Sequence, residues 1–187
     1  MSAVAASEKL ISVTDYANRP ENGKREELVR GRIVELKVPY PRHGEICVKT
    51  ILIVARYLHS HDIGRLLSND AGVIMERGPD TVRGADVAFL SYKRRPKGAL
   101  PRAEYIDELP ELVFEIRSPT DRWRKVIGKA MECLNAGVTS VCVLDEQTQT
   151  ARVYSDDDPG QILSADDDLT FPDILPGFSV KVREFFN

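Results

Sequence analysis

Apolar residues recur at helical spacing along two stretches of the chain. Over 41–60 they are Ile46, Ile51, Leu52, Val54, Ala55 and Leu58. This predicts a long helix with a wide apolar stripe, opened by Pro41. Over 121–135 they are Val126, Ile127, Ala130, Met131 and Leu134. This predicts a second helix, capped by Ser118-Pro119-Thr120-Asp121 and stopped by Gly137. A short helix is predicted over 12–18, with Ser12 or Thr14 as its cap and Pro20 just beyond it.

Elsewhere the pattern is that of strands. Residues 26–36 read as a hairpin turning near Gly31. Strands are expected over 65–68, 73–76 and 85–90, the last preceded by the turn Gly78-Pro79-Asp80. Segment 111–117 is apolar on both faces and so belongs in the middle of a sheet. Another buried strand follows over 138–144. Segments 151–154 and 162–163 form an antiparallel tail around the acidic turn Asp156-Asp157-Asp158-Pro159-Gly160, and 180–186 closes the fold. Residues 91–109 are polar, contain Pro96 and Pro101, and read as a long loop, where function often resides. The predicted class is α/β (α+β): a mixed sheet flanked by helices, with a right-handed strand–helix–strand crossover from Glu111 to Leu144. There is no internal repeat and no linker, so residues 1–187 are expected to form a single domain with 1–11 as a flexible tail.

Composition narrows the class. The chain has 187 residues, 42% hydrophobic and 29% charged, with a net charge of −3. These are the proportions of a soluble globular protein. No run approaches the roughly 18 apolar residues of a membrane span. The first residues lack the pattern of a signal peptide. Cys47, Cys133 and Cys142 fit no disulfide framework, so a reducing cytoplasm is the expected compartment. The net charge gives no positive sign of nucleic-acid binding, although a local basic patch would be enough.

Two carboxylates stand inside apolar strand patterns: Asp86 in Gly84-Ala85-Asp86-Val87-Ala88-Phe89-Leu90, and Glu115 in Leu112-Val113-Phe114-Glu115-Ile116. A buried charge needs compensation, either from a hard cation shared by both or from a basic partner in an ordinary salt bridge. Lys129 falls at the edge of the second helix's apolar stripe. It either orients water and stabilises charge in a transition state or covers apolar surface with its stem. His43, in the first turn of the long helix, reads as a phosphate contact, a proton-transfer group or a surface residue. Cys47 follows it by four residues, but no second ligand pair has a spacing that favours zinc. Lys93-Arg94-Arg95-Pro96-Lys97, with Arg102, is the one strongly basic segment. Its place after the Asp86 strand favours a phosphate clamp over a solvated charge run.

Several segments carry a family resemblance in their order. They are Glu27-Leu28-Val29-Arg30-Gly31, Pro41-Arg42-His43-Gly44, Val82 to Phe89, Pro110 to Arg122, Lys129, Leu134 to Val138, Val143-Leu144-Asp145 and Leu175-Pro176-Gly177-Phe178. Together they resemble the Uma-two family of restriction-endonuclease-like proteins, bacterial members of the PD-(D/E)XK nuclease superfamily. The resemblance implies a restriction-endonuclease-like core and a metal-dependent phosphodiesterase site. Asp86 and Glu115 would bind Mg2+ or Mn2+, with the Ile116 carbonyl as a further ligand. The superfamily lysine usually stands where this chain has Arg117. Here Lys129 matches the lysine's position on the following helix, while Arg117, always protonated, would hold a phosphate. Glu27 and His43 match further positions of the site. The implied activity is an endonuclease acting on DNA, with a homodimer expected by analogy. The alternatives are a non-catalytic nucleic-acid-binding or accessory protein on the same scaffold, and a metal-dependent enzyme acting on a small phosphate compound.

Overall fold

A computed structural model describes residues 10–156 and 158–187. The expected flexible tail therefore lies outside the described residues as far as residue 9, and so does Asp157 of the expected acidic turn.

Helix α1 (Val13–Ala17) is capped by Ser12, whose hydroxyl accepts the Asp15 N–H at 3.0 Å in a reciprocal capping box. Strands β1 (Glu26–Val29) and β2 (Arg32–Glu35) form the expected hairpin. Both turn residues, Arg30 and Gly31, have positive φ, the geometry whose twist matches the flanking strands. Helix α2 spans Pro41–Ser60 as predicted. Its buried positions are His43, Ile46, Thr50 and Val54. Leu52 and Ala55, expected in the stripe, face outward instead.

Strands β3 (Gly64–Ser68) and β4 (Gly72–Glu76) agree with expectation. The segment expected as one strand over 85–90 does not start there. A short strand, β5 (Thr81–Gly84), comes first. The chain then breaks at Ala85 and Asp86, and β6 (Val87–Ser91) follows. Asp86 thus stands at an elbow between strands, not inside one. The polar run Thr81-Val82-Arg83-Gly84 hid β5, since one apolar residue in four sets no period. Strand β7 (Leu112–Arg117), helix α3 (Trp123–Ala136) and strand β8 (Ser140–Asp145) make the crossover, and β7 and β8 are parallel. The cap expected at residues 118–121 is absent. Arg122 is the N-cap and gives no side-chain bond, while Asp121 turns back to accept the Ser118 N–H at 3.0 Å. Gly137 ends α3 in the left-handed region, as expected. The chain closes with β9 (Thr150–Ser155), β10 (Asp158–Leu163), β11 (Asp168–Phe171), β12 (Leu175–Lys181) and a 3-10 helix (Val182–Phe185).

Six strands form the main sheet in the order β10-β9-β8-β7-β6-β3. On one face Phe89, Leu112, Phe114 and Ile116 pack under Ile46 and Val54 of α2, with Phe171, Phe178 and Phe185 from the C-terminal segments. On the other, Val113, Val141 and Val143 pack under Ala130, Cys133 and Leu134 of α3. Strand β7 is therefore covered on both sides, which is why its sequence is apolar on both. A second sheet, β2-β1-β5-β4, leans on α1 through Val13, Leu28, Ile74 and Val82. The chain crosses from this sheet to the main one between Gly84 and Val87. No described helix is long and apolar enough to cross a membrane.

Candidate active site

Gly84 and Asp86 owe their positions to the elbow between β5 and β6. The Gly84 N–H donates to Glu27 at 3.1 Å, and its carbonyl accepts from Lys129 at 2.9 Å. A Cβ on Gly84 would lie 2.5 Å from Asp70 backbone, so only glycine fits between the two sheets there. Two residues on, Asp86 takes over a ladder bond. Strand β6 pairs Val87 with Phe114, and that register sets Asp86 across from Glu115. The Asp86 side chain accepts the Ile116 N–H at 2.7 Å through Oδ2. Its Oδ1 meets His43 Nε2 at 3.1 Å. The other imidazole nitrogen of His43 lies 3.4 Å from the Ser118 hydroxyl.

On β7 the odd-numbered residues face α3, so Glu115 projects toward that helix. Lys129 donates to Glu115 Oε2 at 2.8 Å. Oε1 is also 2.8 Å from the ammonium, so Lys129 faces both carboxylate oxygens, and Oε1 is buried with no other partner among the described residues. The structure thus brings Asp86, Glu115, Lys129 and His43 to one end of the sheet. His43 comes from the α2 layer and Lys129 from the α3 layer.

Electrostatics at this end follow from burial and from the mixture of charges. Burial would raise the Asp86 carboxyl, but His43, Lys129 and the Ile116 N–H outweigh it and hold the group below the usual carboxylate range. Burial pushes Glu115 up to about 7 against the pull of Lys129, and the neighbouring charges of Asp86 and Glu27 add to the rise. Burial opposes the charged form of Lys129, yet Glu115, Glu27 and Asp86 together hold it above the ordinary lysine value, so it stays cationic. For His43, burial is again opposed, here by Asp86 and Cys47, and the imidazole is held up to about 10.

Glu27 has a different environment from the other acids. It is buried and bonded to Arg83 at 2.6 Å, and it lies 4.0 Å from Lys129. Arg83 in turn makes a two-pronged contact with Glu132 of α3, at 3.2 and 2.6 Å. This Glu27–Arg83–Glu132 chain ties the second sheet to α3 beside the elbow. Sequence reading missed Arg83, Glu132 and Ser118, and no local pattern marks any of them.

The basic residues divide by location. The run 93–97 leaves the main sheet from the end of β6 opposite Asp86, about 16 Å along the strand at ~3.3 Å per residue. Arg94 is committed to the carbonyls of Leu109, Pro110 and Gly137, to Thr139 and to Glu111. Arg95 holds Glu108 at 2.7 Å through both carboxylate oxygens, and Lys97 pairs with Asp62. Lys93 is exposed. The expectation that this run lies beside the acidic pair is thus corrected: the run follows β6, but Asp86 is at the strand's start and the run at its finish. Arg117 is buried, bonded to Asp145 at 2.9 Å and stacked on Trp123 at 4.8 Å. Arg122 and Lys125 share the helix edge of Lys129, by the i, i+3, i+7 spacing. Both are exposed, and neither side chain is paired among the described residues.

The Glu115 carboxylate, set across from Asp86 and with Lys129 as the only partner of its buried Oε1 among the described residues, suits a hard cation, which takes oxygen ligands. No curated protein matches the chain. Among solved structures, it superposes on one described as a "putative nuclease belonging to DUF820" from Anabaena variabilis. The TM-score is 0.79 and the identity 19%, over 94% of this chain and 97% of that one. At that identity the likeness establishes the fold. The family model for Uma2, described as "Putative restriction endonuclease", matches residues 13–183. That span holds every residue of the acidic site, and the chain belongs to the Uma2 family.

Proposed function

We propose that this protein is a metal-dependent endonuclease that hydrolyses phosphodiester bonds in DNA, with Asp86, Glu115 and the Ile116 carbonyl as ligands for Mg2+ or Mn2+. The observation that carries the reading is the pair of carboxylates at one sheet end, Asp86 and Glu115, set across from each other by the β6–β7 register with Lys129 bound to Glu115. When bound, such a cation polarises a phosphoryl oxygen and makes water a stronger nucleophile. Lys129 stays cationic between Glu115 and the Gly84 carbonyl. From there it neutralises charge that builds on the phosphoryl group and holds the attacking water. His43 orients Asp86 and, being protonated at neutral pH, offers a cation to the phosphate and a proton to the leaving oxygen. Glu27 is a positioning residue that acts through Gly84 and Arg83. Arg117, buried against Asp145, fixes the end of β7. Phosphate contacts fall first to Arg122 and Lys125, which are exposed, unpaired among the described residues and aligned with Lys129. Lys93, exposed and unpaired among the described residues, serves distant phosphates. The thiols of Cys47, Cys133 and Cys142 are all free, in keeping with a cytoplasmic protein.

The test is a titration of Mg2+ and Mn2+ against supercoiled, linear and single-stranded DNA, with Asp86→Ala alongside. Cleavage that needs the cation and disappears in the variant supports the reading. Cation-independent cleavage, or equal cleavage by Asp86→Ala, refutes it. Binding without cleavage would instead favour a nucleic-acid-binding accessory protein on this scaffold.

A further inference from the structure

Asp86 belongs to a second set of donors besides the one it shares with Glu115. His43 and Cys47 stand four residues apart on α2, on one helix face. The elbow at Asp86 brings a third ligand to them. One ligand atom from each of His43, Cys47 and Asp86 falls within 4.8 Å of the other two. His43 Nε2 and Asp86 Oδ1 are 3.1 Å apart. Two ligands bound at ~2.1 Å to a tetrahedral zinc lie about 3.4 Å from each other, so this pair is already near the spacing a shared cation requires. The outer contacts are of the kind that hold ligands in place. The second imidazole nitrogen faces the Ser118 hydroxyl at 3.4 Å, and the second Asp86 oxygen holds the Ile116 N–H at 2.7 Å.

We infer that His43, Cys47 and Asp86 form a site for a thiophilic divalent cation of the zinc or cobalt kind, and that its occupation withdraws Asp86 from the hard-cation site. The donor chemistry separates the two sites. A nitrogen–sulfur–oxygen set selects zinc-like ions, whereas magnesium takes oxygen and leaves thiolates alone. Three protein ligands leave a fourth position open, as in exchangeable rather than structural zinc sites. Cys47 is partly exposed, while Cys133 and Cys142 are buried, so Cys47 is the thiol a cation reaches from solvent. The binding stands on this geometry alone. The competition rests on the nuclease reading above.

The experiment is a Co2+ titration of the full chain in metal-free buffer, followed by the thiolate-to-cobalt charge-transfer absorption. A saturable band that zinc displaces and that disappears in Cys47→Ser, with the far-ultraviolet circular dichroism unchanged, is the expected result. Cys47→Ala serves as a second variant should serine disturb the helix. No band, or a band that survives loss of Cys47, overturns the site, the latter by assigning the metal to another thiol. In the second arm, zinc is added to Mg2+-supported DNA cleavage. Cys47→Ser keeps the cleavage, and its zinc inhibition midpoint rises at least about tenfold, since losing a ligand costs no less than losing one of its supports. Equal inhibition of parent and variant overturns the competition. If the parent cleaves no DNA at all, the nuclease reading fails, and the cobalt titration still decides the site.

Discussion

Replacing Glu115 by glutamine separates the metal-ligand reading from an ordinary salt bridge. The substitution keeps shape and removes one buried negative charge. In the fold this carboxyl is raised from 4.5 to about 7. A shift of that size corresponds to a cost of about 3 kcal/mol to the folded state at pH 7 and above. The attraction of Lys129 is already inside that figure, because the shift is what remains after its pull. A carboxyl raised on folding carries no penalty below its unfolded value. The penalty grows between pH 4.5 and about 7 and is then constant. Removing one partner of a buried pair costs ~3–5 kcal/mol when the other is stranded. Lys129 would not be stranded, because it keeps the Gly84 carbonyl at 2.9 Å and Glu27 at 4.0 Å. We therefore expect Glu115→Gln to match the parent near pH 4.5 and to exceed it by about 3 kcal/mol at pH 8 in EDTA. At a urea slope of ~2 kcal/mol per molar, that is a midpoint shift of about 1.5 M. Added Mg2+ should stabilise the parent and not the variant, and the variant should cleave no DNA. A variant less stable than the parent at pH 8, or a difference independent of pH, would show that the pair with Lys129 outweighs burial. Glu115 would then be half of a structural salt bridge.

Lys129→Met should lower the cleavage rate by roughly 10²–10³ while Mg2+ still stabilises the fold, because the lysine acts on reacting charge; loss of the Mg2+ effect in unfolding melts would reassign it to metal binding. Arg122→Ala with Lys125→Ala should weaken DNA binding and reduce the magnitude of the log–log salt slope by about 2, as expected for two lost phosphate contacts. Arg94→Ala should instead lower stability, by about 1 kcal/mol or more in urea melts, with little change in DNA affinity, because the side chain ties together the Leu109, Pro110 and Gly137 carbonyls, partly out of solvent. The reverse pattern would return the clamp to the 93–97 run. For the proposed homodimer, Val48 and Leu52 lie one turn apart on α2 and are 55% and 60% exposed. Leu52→Glu should leave a monomer by light scattering at micromolar concentration, and a parent that is already monomeric removes the dimer.

Local signals account for much of the fold. The limits of α2 came from Pro41 and the helical period, and the end of α3 from Gly137, whose left-handed backbone needs no partner elsewhere. The central place of β7 followed from residues such as Phe114 and Val113, apolar on opposite faces and so covered on both. The start of α3 is ambiguous in the sequence because Asp121 can cap either a helix or a turn, and in the fold it binds the Ser118 N–H. Leu52 belongs to the apolar stripe yet faces outward, because the stripe does not say which of its edges the sheet covers.

The sequence by itself determined which residues are chemically unusual. A carboxylate flanked by apolar residues, as at Asp86 and Glu115, needs a partner wherever the strand lies, since desolvating a charge is expensive in any fold. Only the tertiary structure decided who the partners are. Asp86 and Glu115 are 29 positions apart, and no spacing rule links a strand elbow to a helix in the neighbouring layer. The register of β6 against β7 sets them opposite, α3 supplies Lys129 to Glu115, and α2 supplies His43 to Asp86. The same contacts removed Arg94, Arg95 and Arg117 from the list of free cations, because each met an acid or a carbonyl distant in the chain. They also gave His43 and Cys47 a third donor. Burial is a property one strand can announce, whereas compensation of the buried charge depends on long-range packing.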